Sequence, residues 1–442
     1  MNRRKFLNLS AAALAAGPLM LPSVPAQAAL GDYKALVCVF LFGGNDGWNL
    51  LVPRSGAEYD AYASSRRNMA IAQEALLPIN PATSDGRDYG LHPALTGIRD
   101  LFEGGEAALT VNVGPLIEPV TKTQYREKSV RLPPQLFSHN DQQSQWHTLK
   151  GVGSPVTGWA GRLNDVLQNQ TVAQAIPSGS SLFGTTRFLI GEQSQPYVMG
   201  PQGPISFAGF DTSGIRLERS RAFQSIVEAG SSNLYAQAFA DVQQRALDNV
   251  NLINAALESG PVLDTTFQAD ILSQQLRTVA QLIAVRDELQ MERQVFFVGL
   301  GGFDTHDAQV ELQPALFATL NNAVAAFYDA TVELGVSDQV TTFTQSDFGR
   351  TLTSNGDGTD HAWGSVQLMV GGSVVGRELY GDYPILEIDG ELDVRGGRLI
   401  PTTSADQYAA TLASWFGASS DELPTITPQI LNFPVQNLGF MV

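Results

Sequence analysis

One stretch limits the fold of this chain more than any other: the run Ala35-Leu36-Val37-Cys38-Val39-Phe40-Leu41-Phe42, followed at once by Gly43-Gly44. A strand with one wet face alternates apolar and polar residues, whereas a strand buried on both faces does not. Residues 34–42 therefore predict a central strand of a mostly parallel sheet, with helices covering both sides. Further strands are predicted at 107–113, 293–299 and 339–345, and helices at about 93–103, 309–334 and 405–416. This order of strand, helix and strand gives an α/β fold. Between about residues 160 and 290 the pattern turns to long helices, notably 217–258 and 265–290, which reads as a helical insertion. With no linker, repeat or low-complexity run, residues 29–442 are expected to form a single domain. A turn-rich stretch with Gly381, Pro384 and Gly396-Gly397 predicts hairpins before the last helix.

The N-terminus reads as an address. Met1-Asn2-Arg3-Arg4-Lys5-Phe6-Leu7 is cationic, an apolar Ala/Leu-rich stretch follows, and Ala26-Gln27-Ala28 supplies small residues for cleavage. That pattern is a signal peptide over residues 1–28. Its apolar core is interrupted by Gly17, Pro18 and Pro22 and falls short of the roughly 20 residues that span a bilayer, so no integral membrane segment is expected in the mature protein. The paired arginines before Phe-Leu resemble the twin-arginine signal, so the expected location is periplasmic or secreted. The formal charge of −17 repels a phosphate backbone and argues against nucleic acid as a partner. The only cysteine, Cys38, lies inside the first apolar run and has no intramolecular partner. An exported chain of this kind relies on its core, and 43% hydrophobic residues supply one.

Acidic and imidazole groups fall where predicted strands end. The first strand runs into Gly43-Gly44-Asn45-Asp46-Gly47, the third into Gly301-Gly302-Phe303-Asp304-Thr305-His306, and the fourth into Ser346-Asp347-Phe348-Gly349-Arg350. In open α/β sheets the C-terminal strand edge is where ligands bind. Three carboxylates gathered there repel one another unless a cation sits among them. Of the five histidines, His306 lies two residues after Asp304, and His361 sits in Gly358-Thr359-Asp360-His361-Ala362-Trp363-Gly364. An Asp/His set suits one or two divalent metal ions such as zinc, manganese or calcium. Phe137-Ser138-His139-Asn140-Asp141 offers a serine at a helix N-terminus, where backbone amides and the helix dipole favour an anion. The same Ser138 and Asp141 also fit a plain helix cap.

These segments, with Gly158-Trp159-Ala160-Gly161-Arg162, resemble the exported family known as domain of unknown function 1501 over nearly the whole mature chain. The resemblance implies a fold like that of the alkaline phosphatase and sulfatase superfamily. By the same resemblance Asp46, Asp304, His306, Asp347 and His361 would be metal ligands and Ser138 the nucleophile. Phe348 stands where many phosphatase relatives carry a histidine, so one metal site is expected to be weak, with His139 taking over part of its coordination. Arg350 is expected to hold the oxygens of an anionic ester substrate. No Cys or Ser lies in the Cys/Ser-x-Pro-x-Arg context from which sulfatases make formylglycine.

Two functions follow from the sequence. One is an exported metal-dependent hydrolase of phosphate or sulfate esters. The other is a non-catalytic exported binding or assembly protein that keeps the fold and pairs with an exported protein encoded nearby.

Overall fold

A computed structural model describes residues 32–442 except 152, 154, 169, 172–173, 206–213 and 229–232; the expected signal peptide lies outside the described residues. The nine strands of the large sheet are β1 (Lys34–Leu41), β2 (Ala107–Gly114), β3 (Gly179–Ser181), β4 (Tyr197–Val198), β5 (Arg293–Leu300), β6 (Val340–Ser346), β7 (Ser365–Val370), β8 (Leu379–Tyr380) and β9 (Thr403–Ser404). Their order is β8-β2-β7-β6-β1-β5-β3-β4, with β9 pairing beside β2. Every pairing is parallel except those of β7, which runs against both β2 and β6. The result is an α/β architecture with a central, mostly parallel sheet flanked by helices.

Burial of β1 on both faces explains its unbroken apolar run. Ala35, Val37, Val39 and Leu41 point into one core, while Leu36, Cys38 and Phe40 point into the other, as the two-residue period of a strand requires. Three helices cover the first face: α2 (Thr96–Gly104) through Ile98 and Phe102, α7 (Ile271–Ala284) through Leu272 and Leu276, and α8 (Gln309–Glu333) through Phe317 and Leu320. The opposite face is covered by α3 (His139–Thr148) through Trp146, α4 (Trp159–Leu167) through Trp159 and Leu163, and α9 (Ala405–Phe416) through Tyr408 and Leu412. A further helix, α1 (Gly56–Arg66), follows β1 in the chain and brings Arg66 to Asp46.

The stretch read as a helical insertion contributes more than helices. Its helices α5 (Gly214–Glu228) and α6 (Leu234–Ser259) are separate, and α7 belongs to the layer covering the sheet. The same stretch supplies β3 and β4, which extend the large sheet beyond β5. These strands hold three and two residues, and the first is Gly-Ser-Ser, so no apolar run announces them. Among the described residues no helix is long and apolar enough to cross a membrane.

Register decides where the loops arrive. Leu41 at the end of β1 is level with Leu300 of β5 on one side and with Ser346 of β6 on the other. The segments carrying Asp46, Asp304 and Asp347 therefore leave three adjacent parallel strands at one height and on one edge. A fourth segment reaches that edge from the other direction. Because β7 is antiparallel, its first residue, Ser365, stands where its neighbours end, and the chain enters it directly from His361 and Trp363.

Candidate metal centre

Asp304 is the hub of the site. The loop after β1 passes so close to it that a Cβ on Gly43, whose φ is +115°, would collide with the backbone of Phe303 and Asp304. Only glycine fits both that conformation and that approach. Three imidazoles converge on the Asp304 carboxylate. His306 Nε2 lies 3.1 Å and His361 Nε2 3.2 Å from Oδ1, and His139 Nε2 lies 3.3 Å from Oδ2. The ligand atoms of His139, Asp304 and His361 all fall within 4.8 Å of one another. His306 Nε2 and His361 Nε2 are 2.9 Å apart.

Each ring is held from behind through its Nδ1. His139 Nδ1 meets Asp347 Oδ2 at 2.6 Å, His361 Nδ1 meets the Phe137 carbonyl at 2.8 Å, and His306 Nδ1 meets Asp360 Oδ1 at 3.2 Å. An imidazole whose Nδ1–H is donated to an acceptor presents the Nε2 lone pair forward, which is the arrangement that metal-binding histidines adopt. The Phe348 ring, where the resemblance places a histidine, packs against His139 and His361 at centroid distances of 4.8 and 4.4 Å. It walls the site without supplying a ligand.

Charge is balanced around the hub. Burial by itself would raise the Asp304 carboxyl, but Arg350, with Nη1 donating to Oδ1 at 3.0 Å, and the charges of His306 and His139 outweigh it and hold Asp304 low. The hydrogen bond to Asp347 raises His139 above its ordinary value against the opposing effect of burial. His361 is pushed down by burial.

The structure brings together Asp304, His306, His361 and His139, and it places Asp347 behind His139. Asp347 is fully buried; its Oδ2 also accepts from Gln143 Nε2 at 2.8 Å, and among the described residues its Oδ1 has no hydrogen-bond partner. Asp46 is engaged elsewhere: its Oδ2 pairs with Arg66 from α1 and accepts from Gln309 Nε2 at 2.6 Å. Arg350, read from sequence as an anion contact, is wholly buried and donates to Asp304 and, through Nε, to Thr359 Oγ1 at 3.3 Å. Ser138 stands at the N-cap of α3 but makes no side-chain cap; its Oγ donates to Asp141 Oδ2 at 2.7 Å. The residue before it, Phe137, has φ +72°, a costly conformation for a non-glycine residue. It is fixed by Gln142, which accepts from its N–H, and by His361 on its carbonyl. Sequence reasoning missed Arg66, Gln143 and Asp360. Of these only Asp360 had a signal, its place immediately before His361.

The architecture and this cluster define an α/β protein with a histidine-rich, carboxylate-centred site on the ligand edge of its sheet. The chain belongs to the family described as protein of unknown function DUF1501, whose model matches residues 33–391. No curated protein matches it. Similar solved structures include the soluble domain of lipooligosaccharide phosphoethanolamine transferase A from Neisseria meningitidis, at 9% identity over 91% of this chain and 94% of that one, with a TM-score of 0.35. Lipoteichoic acid synthase LtaP from Listeria monocytogenes is 9% identical over 93% and 78%, with a TM-score of 0.38. PsFucS1 sulfatase from Pseudoalteromonas sp. is 9% identical over 89% and 69%, with a TM-score of 0.35.

Proposed function

We propose that this protein is an exported, cation-dependent hydrolase of phosphate or sulfate esters, with Ser138 as nucleophile. One observation carries the cation. His361 Nδ1 faces a carbonyl, which only accepts, so a ring proton sits there, and in the neutral ring Nε2 holds a lone pair. That lone pair is aimed at a carboxylate oxygen 3.2 Å away and at a second imidazole nitrogen 2.9 Å away. A divalent cation removes the repulsion. The donor set fits: Nε2 of His139, His306 and His361 with the Asp304 carboxylate, a nitrogen-rich set that suits zinc better than manganese or calcium. When bound, such an ion polarises an ester oxygen and offsets charge on the leaving group.

The chain's own groups do the rest. Asp141 Oδ2 accepts the Ser138 hydroxyl hydrogen and would take that proton as the oxygen attacks phosphorus or sulfur and the alcohol leaves; water then cleaves the seryl ester and releases phosphate or sulfate. The backbone amides of the first turn of α3 face an incoming anion. Asp347 and the Phe137 carbonyl keep two imidazoles oriented, and Arg350 keeps Asp304 charged and in place.

A non-catalytic binding or assembly role, with a partner protein encoded nearby, has one specific observation in its favour. Asp46, the residue the resemblance makes the first ligand, is tied up by Arg66 and Gln309. Elemental analysis of protein purified after export, combined with hydrolysis of p-nitrophenyl phosphate, bis-p-nitrophenyl phosphate and p-nitrophenyl sulfate, separates the two. The hydrolase reading expects about one cation per chain and a fall of at least roughly a hundredfold in kcat for Ser138→Ala. A bound cation with no turnover of any ester, or with wild-type rates in Ser138→Ala, leaves the binding role.

A further inference from the structure

Beside the centre lies a cleft of about 800 Å³. Gln143, one of its lining residues, donates to the same Asp347 oxygen that holds His139, so the cleft and the centre share a wall. Its floor is aromatic. Phe42 and Phe183 stack with ring centroids 5.0 Å apart at an interplanar angle of 22°, and Phe183 remains 38% exposed. The pair rests on Gly299 of β5, where an added Cβ would come within 2.8 Å of Phe42 and 2.9 Å of Phe183. A glycine inside a buried strand marks such a close seat. The rim is polar, with Asn140, Gln143 and Ser144 presented along one side of α3.

Arg187 lines the same cleft, beside Ser144 of α3. It is exposed, its Nη1 donates to Ser144 Oγ at 3.2 Å, and among the described residues no carboxylate pairs with it. In a chain with 44 acidic and 27 basic residues, a cleft-lining guanidinium that no described acid pairs with can make a bidentate contact to an anion. A stacked pair with one exposed ring takes the apolar face of a sugar, amides and hydroxyls take its hydroxyl groups, and the guanidinium takes an acidic substituent.

We infer that this cleft is a saccharide subsite that selects sugars bearing a carboxylate or sulfate group, through the Phe42–Phe183 platform and Arg187. The inference rests on the ester-hydrolase reading only for its purpose: it makes the leaving portion of the ester an acidic sugar. Binding itself needs no turnover.

The test is calorimetric titration of the exported protein, as purified and after EDTA treatment, with four probes: a trigalacturonate, a sulfated galactan tetrasaccharide free of carboxylates, cellotetraose and inorganic sulfate. At least one acidic saccharide is expected to bind about tenfold or more tightly than cellotetraose and sulfate, in the EDTA-treated protein as well. Which of the two acidic probes binds tells uronate from sulfate recognition. Arg187→Gln should reduce acidic-sugar affinity about tenfold, to the level of cellotetraose, and Phe183→Ala should weaken every saccharide. Both side chains are exposed, and circular dichroism checks that the variants fold. Equal binding of acidic and neutral sugars, binding of sulfate as tight as of the saccharides, no saccharide binding, or wild-type affinity in Arg187→Gln overturns the subsite. Absence of a cation with acidic-sugar binding intact overturns the centre and leaves the subsite standing.

Discussion

At the scale of single residues, the centre depends on groups that never touch the proposed ion. Asp347→Asn keeps the shape beside His139 but weakens the hold on Nδ1; cation affinity is expected to fall about 10- to 100-fold, read by competition with a chelating dye. His361→Ala should abolish stoichiometric binding. A different residue sets the pH response of stability. Asp406 in the first turn of α9 is fully buried, and burial pushes its carboxyl up to about 7 against the pull of the Gln429 N–H and Arg162. Since the folded state keeps the proton longer than the unfolded chain, this group stabilises fully below about pH 4 and loses that contribution as pH rises to about 7. Asp406→Asn should flatten this slope in denaturant titrations between pH 4 and 8, by about 1.4 kcal/mol per unit by which the folded value exceeds the unfolded one. Residue types around the site were legible in the sequence, but their partners were not. Arg66 lies 20 residues beyond Asp46 on another element, and nothing local announces that the two meet. His139, read as a helper, stands level with the other imidazoles because Phe137 adopts its left-handed conformation just ahead of α3.

At the scale of elements, the sequence carried the long strands well because strands buried on both faces are short stretches rich in apolar and β-branched residues, bounded by turn residues. The runs at 34–42, 107–113, 293–299 and 339–345 correspond to β1, β2, β5 and β6 within a residue or two. Strand β7 escaped notice: Gln367 interrupts Ser365–Val370, and Gly364 precedes it. The helices that carry chemistry are pinned from outside the sheet. Arg162 of α4, the last residue of the Gly158–Arg162 motif, donates to the carbonyls of Thr148, Thr157, Thr425 and Ile426 at 2.6–2.9 Å. Thr148 ends α3, so this guanidinium anchors the helix whose other end presents His139. Arg162→Met leaves those buried carbonyls without a donor and is expected to cost about 3 kcal/mol or more in chemical denaturation. Gly43→Ala forces both the backbone and the approach to Asp304; a loss of more than about 1 kcal/mol is expected, together with weakened cation binding.

At the scale of the whole molecule, a cation that binds only the folded chain raises its stability by mass action. At a free concentration about a hundred times the dissociation constant, the gain is about 2.7 kcal/mol, and EDTA should lower the melting temperature accordingly. No change in melting temperature between EDTA and zinc or manganese would count against the centre. The twin-arginine reading makes a separate prediction: replacing Arg3 and Arg4 by lysine should retain the protein in the cytoplasm, scored by fractionation. The direction of β7 has a further consequence. Both ends of the segment from Asp347 to Gly364 are fastened at one edge of the sheet, to β6 where it ends and to its neighbour β7 where it begins. His361 and Asp360 thus ride on a closed excursion whose exit and re-entry points are fixed. Such a segment can change length at its exposed tip, residues 355–357, without moving a strand of the large sheet, while its two buried stems keep Asp347, Arg350 and His361 in register.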